Sequence, residues 1–154
     1  MKIRTIAIGA TIVSLVCSEL IFGAVKVYDV CDYGAREDGK TLCTKSIQRA
    51  IDECAKDGGG TVYFPRGIFL SGTIYMKSGV TLRLNVGCTL LGSADLKDYP
   101  TTVQAFRSYT DNYTDKSLIY GENLERITIT GRGTIDGQGQ AFKETRQQAT
   151  NNGD

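Results

Sequence analysis

Four aspartates stand where this chain could do acid–base chemistry: Asp29, Asp32, Asp98 and Asp136. Two carboxyl groups in fixed positions can divide such work, one giving a proton to a leaving oxygen while the other activates water. The first three adjoin turns, where a short acidic side chain ordinarily bonds backbone N–H groups or faces water. Asp136 is the tempting one, but in Gly133-Thr-Ile-Asp-Gly-Gln-Gly139 its neighbours favour a bond to the adjacent glycine turn over catalysis. No catalytic, cofactor-binding or metal-ligating residue is therefore assigned. The chain has no histidine, which removes the commonest general base and metal ligand, and no Cys-x-x-Cys spacing replaces it. Neither a metal nor a cofactor is expected. Tyr99, Tyr109, Tyr113 and Tyr120 share one polar stretch, and their ring faces could stack on a ligand, although surface tyrosines of this kind are common.

Elements that could position such groups start with a globular composition: 154 residues, 41% hydrophobic and 23% charged, enough for one domain with its own core. Eighteen Lys and Arg face 17 Asp and Glu, a net charge of +1. That balance supplies no long-range field for nucleic acid or an anionic membrane, so any acidic partner must be recognised locally. Eighteen glycines against 2 prolines point to many tight turns.

Residues 1–24 read as an export signal. Lys2 and Arg4 precede an apolar run from Thr5 to Val16, too short to span a bilayer. Small residues at Ser18, Gly23 and Ala24 leave the cleavage point open, and Cys17 raises a lipid anchor as an alternative. The expected location is secreted or periplasmic. Cys31, Cys43, Cys54 and Cys88 remain after cleavage. If Cys43 and Cys54 bracket one helix they stand ~16 Å apart, beyond the reach of about 7 Å that a disulfide allows. Of the other possibilities, small buried thiols fit better than any disulfide.

Past the signal, Val25 to Val30 alternates as a half-exposed strand, and Tyr33 through Gly39 reads as turns. A helix follows with Thr44 as N-cap. Its apolar stripe is Ile47, Ala50, Ile51 and Cys54, and Gly58 sits in the left-handed position after its end. Short strands come next: Thr61–Phe64, Ile68–Leu70, Thr73–Met76, Val80–Leu84 and Cys88–Leu91, then Leu118–Tyr120, Arg126–Thr130 and Thr134–Ile135. The two sets superimpose 45 residues apart, Leu82 on Ile127, Leu84 on Ile129 and Leu90 on Ile135. Val62 and Phe64 lie 20 residues before Leu82 and Leu84. Recurrence of inward apolar positions with a period of about 20 to 45 residues is what a solenoid requires, and 45 suits two coils of such a period. Residues 94–117 then form a surface excursion. An antiparallel sandwich is the competing architecture, but its asparagine–glycine hairpin signals are missing.

The wording of this repeat resembles glycoside hydrolase family 28. Tyr28-Asp-Val-Cys-Asp-Tyr-Gly-Ala35, Asp38-Gly-Lys-Thr41, Gly58-Gly-Gly-Thr-Val62, Leu90-Leu-Gly-Ser93, Asp98-Tyr-Pro100 and Gly131-Arg-Gly-Thr-Ile-Asp-Gly-Gln-Gly139 are similar to that family's opening coils, over roughly residues 25 to 143. The resemblance implies an all-β, right-handed parallel β-helix with an N-terminal capping α-helix. It also implies inverting hydrolysis of galacturonan-type pectin, a polysaccharide partner and a monomeric full-length enzyme. The family's signature set, Asn-x-Asp, Asp-Asp, Gly-His-Gly and Arg-x-Lys, is not found in these 154 residues. Residues 25–154 are accordingly expected to be an incomplete β-helix domain, inactive alone. A spike-type polysaccharide-binding β-helix is one alternative. A polysaccharide lyase, using basic residues and calcium carboxylates, is the other.

Overall fold

Alternation of period two, repeated in very short strands, makes the chain coil. In Val80–Leu84 the residues Val80, Leu82 and Leu84 are buried while Arg83 is exposed, so each strand has one face that only a neighbouring coil can cover. A computed structural model describes residues 26–103 and 115–142. Strands β1 (Val27–Asp29), β3 (Gly60–Phe64), β6 (Val80–Leu84) and β9 (Thr128–Gly131) form the first sheet. Strands β2 (Asp38–Leu42), β4 (Gly67–Ser71), β7 (Cys88–Gly92) and β10 (Thr134–Asp136) form the second, in that order, and β5 (Ile74–Tyr75) pairs with β8 (Ile119–Tyr120) in the third. Every pairing among the described residues is parallel. Each strand reaches its neighbour only after a circuit through the other sheets, and such crossovers are right-handed. The architecture is the expected parallel β-helix, and the antiparallel alternative falls.

Inward side chains stack in ladders along the axis. Tyr28, Val62, Leu82 and Ile129 align on the first sheet, and Phe69, Leu90 and Ile135 on the second. The 20-residue step from Val62 to Leu82 stands, as does Leu90 over Ile135. The first-sheet alignment of the two halves is corrected. Leu82 pairs with Ile129 and Leu84 with Gly131, not with Ile127 and Ile129. A two-residue shift keeps the inward face, so the apolar pattern could not detect it. The step is also one coil rather than two, because β6 and β9 are direct neighbours. The added residues leave after β7 and return at β8, so the excursion accounts for the length.

Helix α1 (Thr44–Lys56) buries Ile47, Ala50, Ile51 and Cys54 completely, the stripe read from the sequence. It lies against β1, β3 and the 3-10 turn Val30–Tyr33, closing the core over the first coil. Gly58 takes φ +93° just past the helix end, as expected. The N-terminus differs: Cys43 holds the cap position without a side-chain capping bond. The Thr44 hydroxyl instead accepts from the Gly72 N–H at 2.8 Å and from Ser71 Oγ at 3.3 Å, tying the helix to the neighbouring coil. A second difference is β2, where turns were expected. Asp38 accepts from the Lys40 and Thr41 N–H groups and Gly39 takes φ +66°, so a turn signal sits inside a strand whose register shifts between Asp38 and Leu42. Of the expected strand at Val25–Val30, Val27–Asp29 is a strand, and Asp29 Oδ1 caps the 3-10 turn that follows.

Two checks arise from local chemistry. Bonds from Thr41 and Lys40 hold the Asp38 carboxyl at about 2 against an ordinary 3.8. A depressed folded pKa contributes stability above the unfolded value and loses it as pH falls through the folded one. Between pH 4 and 2 the urea midpoint should therefore drop, and the drop should be smaller in Asp38→Asn. The four described cysteines are free thiols, matching the buried-thiol reading. Burial, then the Asp29 charge, pushes Cys31 up to about 12, and burial pushes Cys88 up to about 11. With no thiolate at neutral pH, neither should react with a thiol reagent at pH 8 until urea unfolds the chain, as mass spectrometry would read.

Candidate functional site

Strand β5 has a side chain where an edge strand would expect a neighbour. Gln48, projecting from α1, accepts from the Tyr75 N–H at 2.8 Å and donates to the Tyr75 carbonyl at 3.0 Å, the two bonds that a parallel strand would otherwise supply. Gln48 also donates to Asp52, which pairs with Lys77 at 2.9 Å. Burial opposes ionisation of Asp52, but the bonds from Lys77 and Gln48 outweigh it and hold the carboxyl low. This clamp fixes Tyr75, whose ring meets Tyr120 of β8 edge-on at 5.8 Å. The Tyr120 hydroxyl donates to Glu122 at 2.8 Å, which raises its pKa. The third sheet thus presents an aromatic ledge flanked by charge.

Beside it lies a cavity of about 220 Å³ lined by Leu96, Tyr99, Lys116, Leu118 and Phe142. Tyr99 is 6% exposed. Its hydroxyl donates to the Ser93 carbonyl at 2.7 Å and its ring meets Phe142 edge-on at 6.3 Å. The excursion that carries it is seated by Gly72, where an added Cβ would stand 2.1 Å from the Asp98 carbonyl oxygen. Gly72→Ala should cost about 1–3 kcal/mol through overpacking. It should also speed proteolysis in residues 94–117, an effect absent in the parent.

Of the four tyrosines singled out above, Tyr99 is packed inward rather than offered as a platform, and Tyr120 stands on the ledge. Tyr109 and Tyr113 lie outside the described residues. Tyr75 was missed, although its position between inward Ile74 and Met76 marks it as outward-facing. The aspartates have local partners: Asp29 caps a turn, Asp98 accepts from Ser93 Oγ, and Asp136 accepts from the Gln138 N–H at 2.8 Å. Asp32 is exposed in the 3-10 turn. The Asp136 bond spans Gly137, as the glycine-turn reading expects. Among the described residues no group of three His, Cys, Asp or Glu side chains could hold a metal, and no helix is long and apolar enough to cross a membrane.

Residues 27–142 match the rhamnogalacturonase A/epimerase, pectate lyase-like family. The chain belongs to that family. The chain is 39% identical over 122 residues to an exo-poly-alpha-D-galacturonosidase of Dickeya chrysanthemi, covering 74% of this chain and 20% of the relative. The family 28 exopolygalacturonase structure of Yersinia enterocolitica superimposes with a TM-score of 0.66 at 39% identity, covering 74% of this chain and 21% of that one. The plasmin and fibronectin-binding protein A of Streptococcus pneumoniae is 38% identical over 117 residues, 75% of this chain and 16% of its own. The chain therefore spans about a fifth of the length of these three relatives. The family match over residues 27–142 takes in the capping helix and the described coils, the stretch on which the resemblance to glycoside hydrolase family 28 rests.

Proposed function

We propose that this chain supplies the N-terminal cap and first coils of an exported, pectin-degrading glycoside hydrolase that cleaves galacturonan-type bonds with inversion. The observation that carries this reading is 39% identity over 122 residues with an exo-poly-alpha-D-galacturonosidase, covering 74% of this chain. The basic start and short apolar run of residues 1–24 support export to a secreted or periplasmic location. An inverting enzyme needs two carboxyl groups roughly 6.5–9.5 Å apart with water between them, a pair that coils beyond those described here would supply.

The test is a reducing-sugar assay on polygalacturonate with this chain and with its reading frame continued past Asp154. The longer protein should turn over, with proton NMR showing an inverted first anomer, and this chain alone should not. Losing an assignable acid and base forfeits typically 10²–10⁴-fold per group. Turnover by the short chain, abolished in Asp136→Asn, would place the chemistry on Asp136 and sink the proposal. Edman sequencing of the exported protein checks the first segment, for which a new terminus between residues 18 and 25 is expected.

A further inference from the structure

On its outer face the first sheet carries two rows of side chains that run across the coils. Thr61, Thr81 and Thr128 form one row; Tyr63, Arg83 and Thr130 form the next. A groove of about 540 Å³ crosses these rows, with Arg83 along it and Arg132 at the turn after β9. Its floor is held by the turn after β6, where Asn85 donates to the Tyr63 hydroxyl at 2.7 Å. Arg66, from the preceding coil, lies along Gly87 of that same turn.

The charge of this face is not neutralised from within. Ion pairs occupy Lys26, Arg36, Lys56 and Lys77, and backbone carbonyls hold Arg49 and Lys116. The guanidinium groups of Arg66, Arg83 and Arg132 have no ion pair or hydrogen bond among the described residues. Asp29 is the carboxylate in the same row as Arg83, two strands away beyond Tyr63, and its Oδ1 is taken by the Cys31 N–H. A chain of net charge +1 thus concentrates three guanidinium groups at one corner, beside rows of hydroxyls.

We propose that this outer face binds a carboxylated polysaccharide, whose acid groups pair with Arg83 and Arg132 while its hydroxyls meet the threonine rows. Guanidinium forks fit carboxylates through two parallel bonds. The threonines recur at the strand spacing of about 4.8 Å, a repeat that suits an extended polymer lying along the axis. The site rests on the proposed function only for the identity of the sugar; the arginines and the groove ask for a carboxylate on a hydroxylated chain in any case.

The test is affinity electrophoresis of the protein as its gene encodes it, in gels holding polygalacturonate, its full methyl ester or dextran sulfate. Polygalacturonate should retard the parent strongly and the ester should not. Arg83→Gln with Arg132→Gln should weaken retardation at least tenfold, whereas Lys45→Gln with Lys97→Gln, the same loss of charge elsewhere, should leave it unchanged. Circular dichroism checks folding, and Thr81→Glu, which sets a carboxylate in the groove, should abolish retardation should the double variant fail to fold. Equal retardation by the ester, equal loss in the lysine pair, or arginine-independent binding would overturn the site. Dextran sulfate bound as tightly as polygalacturonate would overturn it too, by reducing it to ion exchange. Hydrolysis is read in parallel: arginine-dependent binding without turnover leaves this surface standing and removes the hydrolase, while turnover with arginine-independent binding does the reverse.

Discussion

Ile51→Asp should lower stability by about 4 kcal/mol or more, against about 0.5–1.5 kcal/mol for Ile51→Val. Ile51 is fully buried in the stripe of α1 that closes the first coil. Aspartate there forfeits the packing of the side chain and leaves a carboxylate with no cation beside it, and a domain of ordinary stability has only about 5–15 kcal/mol to lose. Urea denaturation followed by circular dichroism reads both variants. An aspartate variant as stable as the valine one would mean that the helix does not cover the core.

Phe69→Ala should cost about 3–5 kcal/mol, while Ile68→Ala, one residue away on β4, should change stability by no more than about 0.5 kcal/mol. Phe69 is fully buried, stacks over Leu90 and meets Phe64 edge-on at 5.7 Å. Ile68 is 44% exposed on the opposite face. Because side chains alternate strictly, a register displaced by one residue would exchange the two effects. The pair of urea midpoints therefore measures the register of the second sheet directly, and equal losses would contradict the coil assignment.

The helix and nearly every strand were legible because their signals are local: a 3.6-residue stripe in one case, two-residue alternation between glycine turns in the other. What local pattern could not resolve was pairing. Leu84 meets Gly131 rather than Ile129 because alternation is blind to a two-residue displacement, and only the fit of the turns decides it. Strand β2 hid behind an Asp-Gly signal that serves a bulge instead of a turn. Gln48 was invisible for another reason. A glutamine on a half-exposed helix face ordinarily reads as solvated, and nothing in its neighbours announces that it stands in for a strand. The outer face of the first sheet was equally silent, since Arg83 and Arg132 lie far apart in sequence and meet only when coils stack.

The Gln48 clamp gives the solenoid a direction. With an amide from α1 filling the bonding positions of Tyr75, and the helix itself covering the first coil, no further strand can dock on that side of β5. Growth is left to the side of β8, β9 and β10. A chain emerging amino end first would therefore complete its helix-covered coil before the next one, and each circuit after it would find a ready template of paired donors, acceptors and apolar rungs. Assembly in that order would resemble a zipper closed from one end, with an open edge one circuit wide.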